Sequence, residues 1–465
     1  MEKEQRHRWL ILIAVMLGSI MAPIDGSIMN IAMPTLVKVF HAPMETVSWV
    51  SMAYLLVVSS TLLMFGRLGD IAGYKSIYQA GLLIFTAASA LCGFSHTIAV
   101  LIAGRVLQAI GGGMLLSMTP AILTAVFPPT ERGRALGMNA MSVAIGLAIG
   151  PSLGGFLVST LGWEYIFFIN VPIGIAALIW AQIAIPKRSS RRDERFDAIG
   201  AVLAFCLLFS LLLYINRGSE WGWTSPIGLL MLIITACSLI AFIMTESHRP
   251  EPMLDLSLFR IRLFTAGTVS TLLNFSAQYI MTFLTPFYLT QKGMSASAAG
   301  ALMTAFPACM LIMAPLSGAL SDRMGARGLS TLGAAISALG LFLMSTLTLS
   351  SPVWQIALNL AVFGVGNGLF QSPNNSSVMG SVPRERLGVA SSFLATMRNV
   401  GMVMGIAIGG AVFTSLRYHF AGLAGFDENS AFMYALRIAY LTGMGIDILC
   451  AVASAVRGSH EAPSD

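Results

Sequence analysis

The chain has 465 residues, of which 56% are hydrophobic and only 10% charged, and its mean hydropathy is +0.78. A soluble domain normally carries about a quarter charged residues, so this composition excludes a water-soluble fold and sets most of the chain against lipid. The net charge of +6 comes from basic residues that do not cluster on a soluble face, which argues against a nucleic-acid partner.

A helix needs about 20 mainly apolar residues to cross a bilayer. Runs of that kind lie near 9–32, 47–65, 76–95, 98–127, 135–158, 164–185, 198–216, 226–245, 263–289, 296–317, 329–349, 353–380, 388–414 and 431–456, which predicts fourteen spans and an all-α integral membrane fold. The first run has basic residues ahead of it but carries Asp25, reaches Pro34 and has no small-residue cleavage site, so it reads as a retained span and not a signal peptide. With the N-terminus inside, 20 of the 27 Lys and Arg residues fall in inner segments, 4 in outer segments, and Arg105, Arg398 and Arg437 within spans. That asymmetry follows the positive-inside rule and places both termini in the cytoplasm. The five cysteines are scattered through apolar runs without metal spacing and read as core filler; no metal site is expected.

The fifth run carries Gly146-x-x-x-Gly150-Pro151-x-x-Gly154-Gly155. Glycines four apart bare the backbone on one helix face, so a neighbouring helix can approach closely in lipid. Pro151 removes a backbone donor and is expected to bend the helix. The chain also repeats itself. Gly66-x-x-x-Asp70-x-x-Gly73 returns as Gly318-x-x-x-Asp322-x-x-Gly325, offset by 252, and Gly146, Gly150 and Gly154 return as Gly401, Gly405 and Gly409, offset by 255. Glu131-Arg132 returns as Glu385-Arg386, offset by 254. Parallel repeats of this kind belong to transporter architectures, with a ligand site near the midplane. The expected organisation is a six-helix bundle over 1–185, a linker with two inserted transmembrane helices over 186–262, a second six-helix bundle over 263–456 and a cytoplasmic tail over 457–465. Two positions break the symmetry: Ile406 stands where Pro151 would be, and Asn359 where Arg105 would be.

With these motifs the chain resembles the major facilitator superfamily, and within it the fourteen-span drug:proton antiporters of the EmrB/QacA type. The loop signature is Gly66-Arg67-Leu68-Gly69-Asp70-Ile71-Ala72-Gly73-Tyr74-Lys75, and the antiporter signature is the glycine–proline run of the fifth span. Matching subfamily patterns begin at Asp25 in the first span, Arg105 in the fourth and Trp163 in the sixth. Departures are Ile71 and Tyr74 in place of common basic residues, Ala109 in place of a glycine, and Glu164 in place of an arginine. The resemblance implies a major facilitator fold of two six-helix bundles plus two extra helices. It also implies proton-coupled export of lipophilic, often cationic, small molecules, with coupling assigned to the first-span acid and the fourth-span arginine.

Only Asp25 and Asp447 sit well inside spans. An ionised side chain costs several kcal/mol at the bilayer centre and so should face the bundle interior. A carboxyl held there is the kind of group that takes up and releases protons. Asp25 lies roughly 24 Å along its helix from Trp9, and Arg105 roughly 10 Å into the fourth span from the other side, at about 1.5 Å per residue. The two therefore fall at similar depth, and the expectation is that Asp25 carries the proton and Arg105 modulates it. Asp447 could line a cavity, snorkel or pack, and Arg398 and Arg437 have no evident acid. Asp70 and Asp322, with Arg67, Lys75 and Arg323 nearby and the glycine–proline run Gly146, Gly150, Pro151, Gly154 and Gly155, are expected to gate the pathway through charge contacts at helix ends and a movable fifth span. Substrate contacts are expected from Asp25, Asn30, Tyr54, Gln108, Asn274, Gln278, Tyr279, Asn367 and Gln371, polar groups that cannot cheaply face lipid, among 28 methionines that can re-pack around varied ligands.

Two other motifs lack their context. Gly150-Pro151-Ser152-Leu153-Gly154 matches a nucleophile elbow, but lies inside a span with no histidine at that depth, and Asn375-Ser376-Ser377 matches a glycosylation sequon near an inner helix end. No phosphate-binding loop is present. The reading is a non-enzymatic, proton-coupled exporter of the bacterial cytoplasmic membrane, with the proton as coupling ion, no other cofactor, and small molecules and the lipid bilayer as partners. Export of one metabolite, lipid or peptide in the same fold is the alternative, and a receptor or integral enzyme the remote one. The sequence leaves the oligomeric state open, a monomer included.

Overall fold

The computed structural model describes residues 2–128, 131–185, 198–222, 224–248, 256–383, 386–421 and 427–457. The expected linker stretch 186–197, the tail 458–465 and the side chains of the expected gating residues Arg67, Asp70, Asp322 and Arg323 lie outside the described residues.

Lipid cannot hydrogen-bond a backbone N–H or C=O, so a chain this apolar must satisfy those groups within each segment, and it does so as helices. In chain order these are α1 (Glu2–Val39), α2 (Met44–Ala72), α3 (Tyr74–Gly93), α4 (Ile98–Val126), α5 (Arg132–Thr160), α6 (Tyr165–Phe168), α7 (Asn170–Ala184), α8 (Ala198–Trp221), α9 (Pro226–His248), a short 3-10 turn (Leu256–Arg260), α10 (Arg262–Gln291), α11 (Ala296–Met303), α12 (Ala305–Met324), α13 (Ala326–Ser345), α14 (Val353–Gly380), α15 (Leu387–Ala421) and α16 (Glu428–Val456). Some starts are capped by local chemistry. Thr97 Oγ1 accepts from Val100 N at 3.3 Å at the head of α4. Asp427 Oδ1 accepts from Ser430 N at 3.0 Å at the head of α16, and these Ser430 hydrogen bonds hold the exposed Asp427 carboxyl below its usual range.

Among the described residues, twelve helices are long and apolar enough to cross a membrane, so the expectation of fourteen spans is not supported. Two expected spans are not among the twelve. In α8 (Ala198–Trp221) the described apolar stretch is Ile199–Ile215. The 30 residues of α10 are long enough, but Thr268, Ser270, Thr271, Asn274, Ser276, Gln278 and Thr285 are spread through it, and it is not among the twelve.

The chain divides into two compact units. The first comprises Met1–Ser210, Ile234–Thr245 and Ser295–Gly300, and the second Leu211–Ile233, Glu246–Met294 and Ala301–Asp465. In the first, α1 packs along α5, α3 along α4 and α2 along α4; in the second, α10 packs along α15, α13 along α14 and α12 along α14. The repeat seen in the sequence is thus a repeat of helix pairs. Its turns match as well. Gly73 joins α2 to α3 at φ 87° and Gly325 joins α12 to α13 at φ 80°, the left-handed region that a side chain would strain. Each donates its N–H back one turn, to Gly69 O at 3.0 Å and to Ser321 O at 2.9 Å.

The glycine rows form the seams. A Cβ placed on Gly146 would lie 3.0 Å from Ile20 Cγ1, on Gly150 2.5 Å from Ser27 Cβ, and on Gly154 3.0 Å from Ile28 Cα, all along α1. Gly401, Gly405 and Gly409 meet Leu272, Ser276 and Ile280 of α10 in the same order. Gly155 turns off this row and faces the Ala296 carbonyl, in the 295–300 segment of the same unit. The α5 helix continues through Pro151 to Thr160.

A Gly150→Val variant should lose about 1–3 kcal/mol of stability, the usual cost of overpacking, read as a lower thermal-unfolding midpoint of the purified chain. Gly137→Ala on the same helix, where a Cβ meets nothing within 4 Å, should leave the midpoint unchanged.

Candidate functional site

Among the described residues, the first unit holds one buried charged cluster. Helix α1 brings in Asp25, 3% exposed, and α4 brings in Arg105 and Gln108, at 1% and 0%. The Arg105 guanidinium forms an ion pair with Asp25 Oδ2 through Nη1. Asp25 Oδ1 accepts from Gln108 Nε2 at 2.9 Å and from Asn170 Nδ2 at 3.1 Å. The carboxylate therefore meets one cation and two neutral donors. An interior carboxylate needs such answers, because desolvating it alone is prohibitive.

The arginine is held from its other sides. Nε donates to Val50 O of α2 at 2.9 Å, and Nη1 also donates to Gln108 Oε1 at 2.5 Å. The guanidinium carbon lies 4.4 Å from the Tyr54 ring centroid and 5.8 Å from that of Phe167, a cation–π sandwich of α2 and α6. Gln108 Nε2 further donates to Ser89 Oγ of α3 at 2.8 Å. Five helices besides α4 thus converge on one ion pair. The spacing of Arg105 and Gln108, three apart on α4, puts both on one face toward α1.

The expected site residues sort into groups. Asp25, Arg105, Gln108 and Tyr54 come together in this cluster, and Asn30 is buried on α1 just over one turn further on. Asn274, Gln278, Tyr279, Asn367 and Gln371 all lie in the second unit. There Gln371 Nε2 donates to Gln278 Oε1 at 3.2 Å, joining α14 to α10. Asn367 Nδ2 donates to Ser337 Oγ and to Phe363 O, both at 3.1 Å, which is a packing role between α14 and α13. Asn274 Nδ2 donates to Asp447 Oδ1 at 3.4 Å, and Tyr279 lies against Gly405 of α15. Lys75, expected at a gate, donates through Nζ to Gln182 O at 2.9 Å and Ile185 O at 2.6 Å, so it caps the C-terminal end of α7.

Sequence reasoning passed over Asn170 and Ser89 as site residues. Asn170 is fully buried at the first position of α7, a polar amide inside an otherwise apolar run, and that isolation was the available signal. In the second unit Asn359, at the position equivalent to Arg105, donates to Leu343 O at 2.9 Å and takes no part in a charged cluster. Among the described residues, no group of three or more His, Cys, Asp or Glu could hold a metal ion.

The Major Facilitator Superfamily model matches residues 15–260 and 265–426. The chain belongs to the major facilitator superfamily. This is a family of membrane transporters. The chain is 36% identical over 418 residues to riboflavin transporter RibZ of Clostridioides difficile, covering 89% of this chain and 90% of that one. It is 30% identical over 413 residues to multidrug transporter protein MdtP of Bacillus subtilis, covering 88% of this chain and 76% of that one. The fold is similar to the crystal structure of a bacterial homologue of the human lysosomal transporter Spinster, with a TM-score of 0.70 over 97% of each chain at 16% identity.

Removing one partner of a buried pair costs about 3–5 kcal/mol, so Arg105→Ala should lower the thermal-unfolding midpoint sharply. Asn170→Ala removes only one neutral donor and should cost about 1–3 kcal/mol. Equal midpoints for the two variants would contradict the assignment of Arg105 as the charge that Asp25 depends on.

Proposed function

We propose that the chain is a proton-coupled exporter of small lipophilic compounds, of the fourteen-span drug:proton antiporter type, working by alternating access in a bacterial cytoplasmic membrane with both termini inside. On this reading the apolar part of α8, and α10, are spans as well, bringing the count to fourteen. The observation that carries the coupling reading is the Asp25–Arg105 ion pair, buried at 3% and 1% exposure and braced from several helices.

The chemistry follows from that pair. Protonating Asp25 removes the negative charge that Arg105 answers, and frees Nη1 to rest on Gln108 alone while Nε keeps Val50 O. Losing the proton restores the pair and draws α1 back against α4. A substrate that favours the deprotonated arrangement thereby exchanges for a proton, since a ligand shifts an equilibrium only by its differential affinity for the two states. With one acid in the cluster, one proton per cycle is the expected count at this site. Polar groups in each unit, among them Asn30, Tyr54, Gln278 and Gln371, supply substrate contacts. Arg67, Asp70, Asp322 and Arg323 act at the gate with the α5 glycine–proline run.

Drug export draws support from the multidrug transporter MdtP at 30% identity. A second reading, export of one defined metabolite, draws support from the riboflavin transporter RibZ at 36% identity. The exporter reading keeps the same proton chemistry in both cases and differs only in cargo.

The test is a resistance and dye-efflux panel in cells lacking their own exporters, run at two external pH values. Wild type should confer resistance that rises as external pH falls. Asp25→Asn should lose at least tenfold of the efflux rate and all pH dependence, and Arg105→Ala should do likewise. Unimpaired, pH-sensitive efflux by Asp25→Asn would remove the coupling role. Export of riboflavin with no dye transport would select the second reading.

A further inference from the structure

The Asp25 cluster does not use the other acid that lies inside a helix of the bundle. Asp447 of α16 is fully buried. Its Oδ1 accepts from Asn274 Nδ2 of α10 at 3.4 Å, a long bond, and its Oδ2 has no hydrogen-bond partner. Asn274 Oδ1 is buried and equally unpartnered. Two acceptor oxygens, one on each residue of a bonded pair, therefore lack a donor. The contrast with Asp25 is plain: that carboxylate meets an arginine and two amides, and Asp447 meets one amide at the limit of range.

The surroundings supply no cation. On α16 itself Cys450, one turn on, gives its Sγ to Ser270 O at 3.3 Å, and Tyr440, two turns back, shares a hydrogen bond of 2.9 Å with Thr285 Oγ1. On α10, Tyr279 lies beside Gly405 and within electrostatic reach of Arg398 of α15. On α13, Arg327 is exposed near the helix start. Arg457, just past α16, is held by Asn374 Oδ1 at 3.0 Å and Ser330 Oγ at 2.9 Å. Among the described residues none of these forms an ion pair with Asp447. The packing nearby is apolar, with Ala334, Phe370 and Leu273 around Cys450.

One change satisfies both orphaned oxygens. A proton on Oδ2 makes Asp447 a donor to Asn274 Oδ1, while Asn274 Nδ2 continues to donate to Oδ1. The result is a cyclic acid–amide pair with two complementary hydrogen bonds, reached by a small side-chain rotation. We propose that Asp447 and Asn274 form a proton-binding site in the second unit, separate from the Asp25–Arg105 pair and occupied by a proton in this arrangement. Loss of that proton leaves a bare carboxylate facing an amide oxygen, which drives α16 and α10 apart or draws water between them. On this proposal the proton passes by two hydroxyls. Ser270 Oγ and Ser454 Oγ are buried and unpartnered, and both lie from Asp447 toward the C-terminal end of α16. A hydroxyl both donates and accepts, so a file of such groups with water can pass a proton along.

The consequence for transport, a second titrating step in the cycle, rests on the proton-coupled reading above; the protonation of Asp447 does not. The test is infrared difference spectroscopy on the full chain reconstituted into phospholipid vesicles, with no substrate added. Wild type at neutral pH should show a protonated-carboxyl C=O band that moves on exchange into heavy water. Asp447→Asn should abolish it, Asp447→Glu should shift it, and Asp25→Asn should leave it in place. Raising the pH should remove it in wild type, and Asn274→Leu, which deletes the hydrogen bonds between amide and acid, should move it to higher frequency. An unchanged band in Asp447→Asn, or a band that Asp447→Glu fails to move, would overturn the proposal. If the Asp447 band is present while Asp25→Asn still exports dye with normal pH dependence, the proton site stands and the coupling reading fails. If Asp25→Asn uncouples efflux and no Asp447 band exists, only the second site fails.

Discussion

A charge placed in a bilayer interior has to be answered inside the protein, and in the first unit that requirement falls on one bond. Asp25 and Arg105 form an ion pair at 3% and 1% exposure. Five helices contribute to holding it: Val50 and Tyr54 from α2, Ser89 from α3, Gln108 from α4, Phe167 from α6 and Asn170 from α7. Such a pair is weak evidence for stability, since a well-packed apolar pair of the same volume serves as well. On the proposed reading its use is to change the packing of α1 against α4 when a proton is added.

The two units share their mechanical parts and differ in their charges. Each has a glycine row that lets a long helix lie close on its neighbour, α5 on α1 and α15 on α10. Each has a left-handed glycine, Gly73 or Gly325, at the matching turn. The electrostatics have diverged. At the position of Arg105 the second unit has Asn359, bonded to Leu343 O, and its buried acid is Asp447 on α16, facing an amide. The repeat keeps its glycine seams and turns and changes its buried titratable groups.

The helix seams and the ion pair were legible in the sequence because both depend on local or one-dimensional quantities. Glycines four apart mark a close-packing face, and counting 1.5 Å per residue from opposite ends brought Asp25 and Arg105 to similar depth. Asn170 was not legible as a ligand of Asp25, because nothing in its neighbours says that the start of α7 turns into the bundle. The fourteen-span count is not supported among the described residues: α8 is not among the twelve qualifying helices, and α10 spends much of its length on Thr, Ser, Asn and Gln. Those same residues on α10 carry the contact of Asn274 with Asp447, so what weakened α10 as an apolar run is what gives the second unit its polar interior. Lys75, expected at a gate, caps α7 here, a use of its charge that only the position of the Gln182 and Ile185 carbonyls reveals.

Membership of the major facilitator superfamily accounts for the fold and for transport, and the buried pair accounts for how a proton could be tied to it. The most direct measurement is proton release from the purified chain in weakly buffered detergent solution on adding a cationic dye such as ethidium. The account predicts proton release on dye binding by wild type that Asp25→Asn lowers by close to one proton per dye bound. Saturable dye binding with no proton release from wild type, or equal release from both proteins, would contradict it.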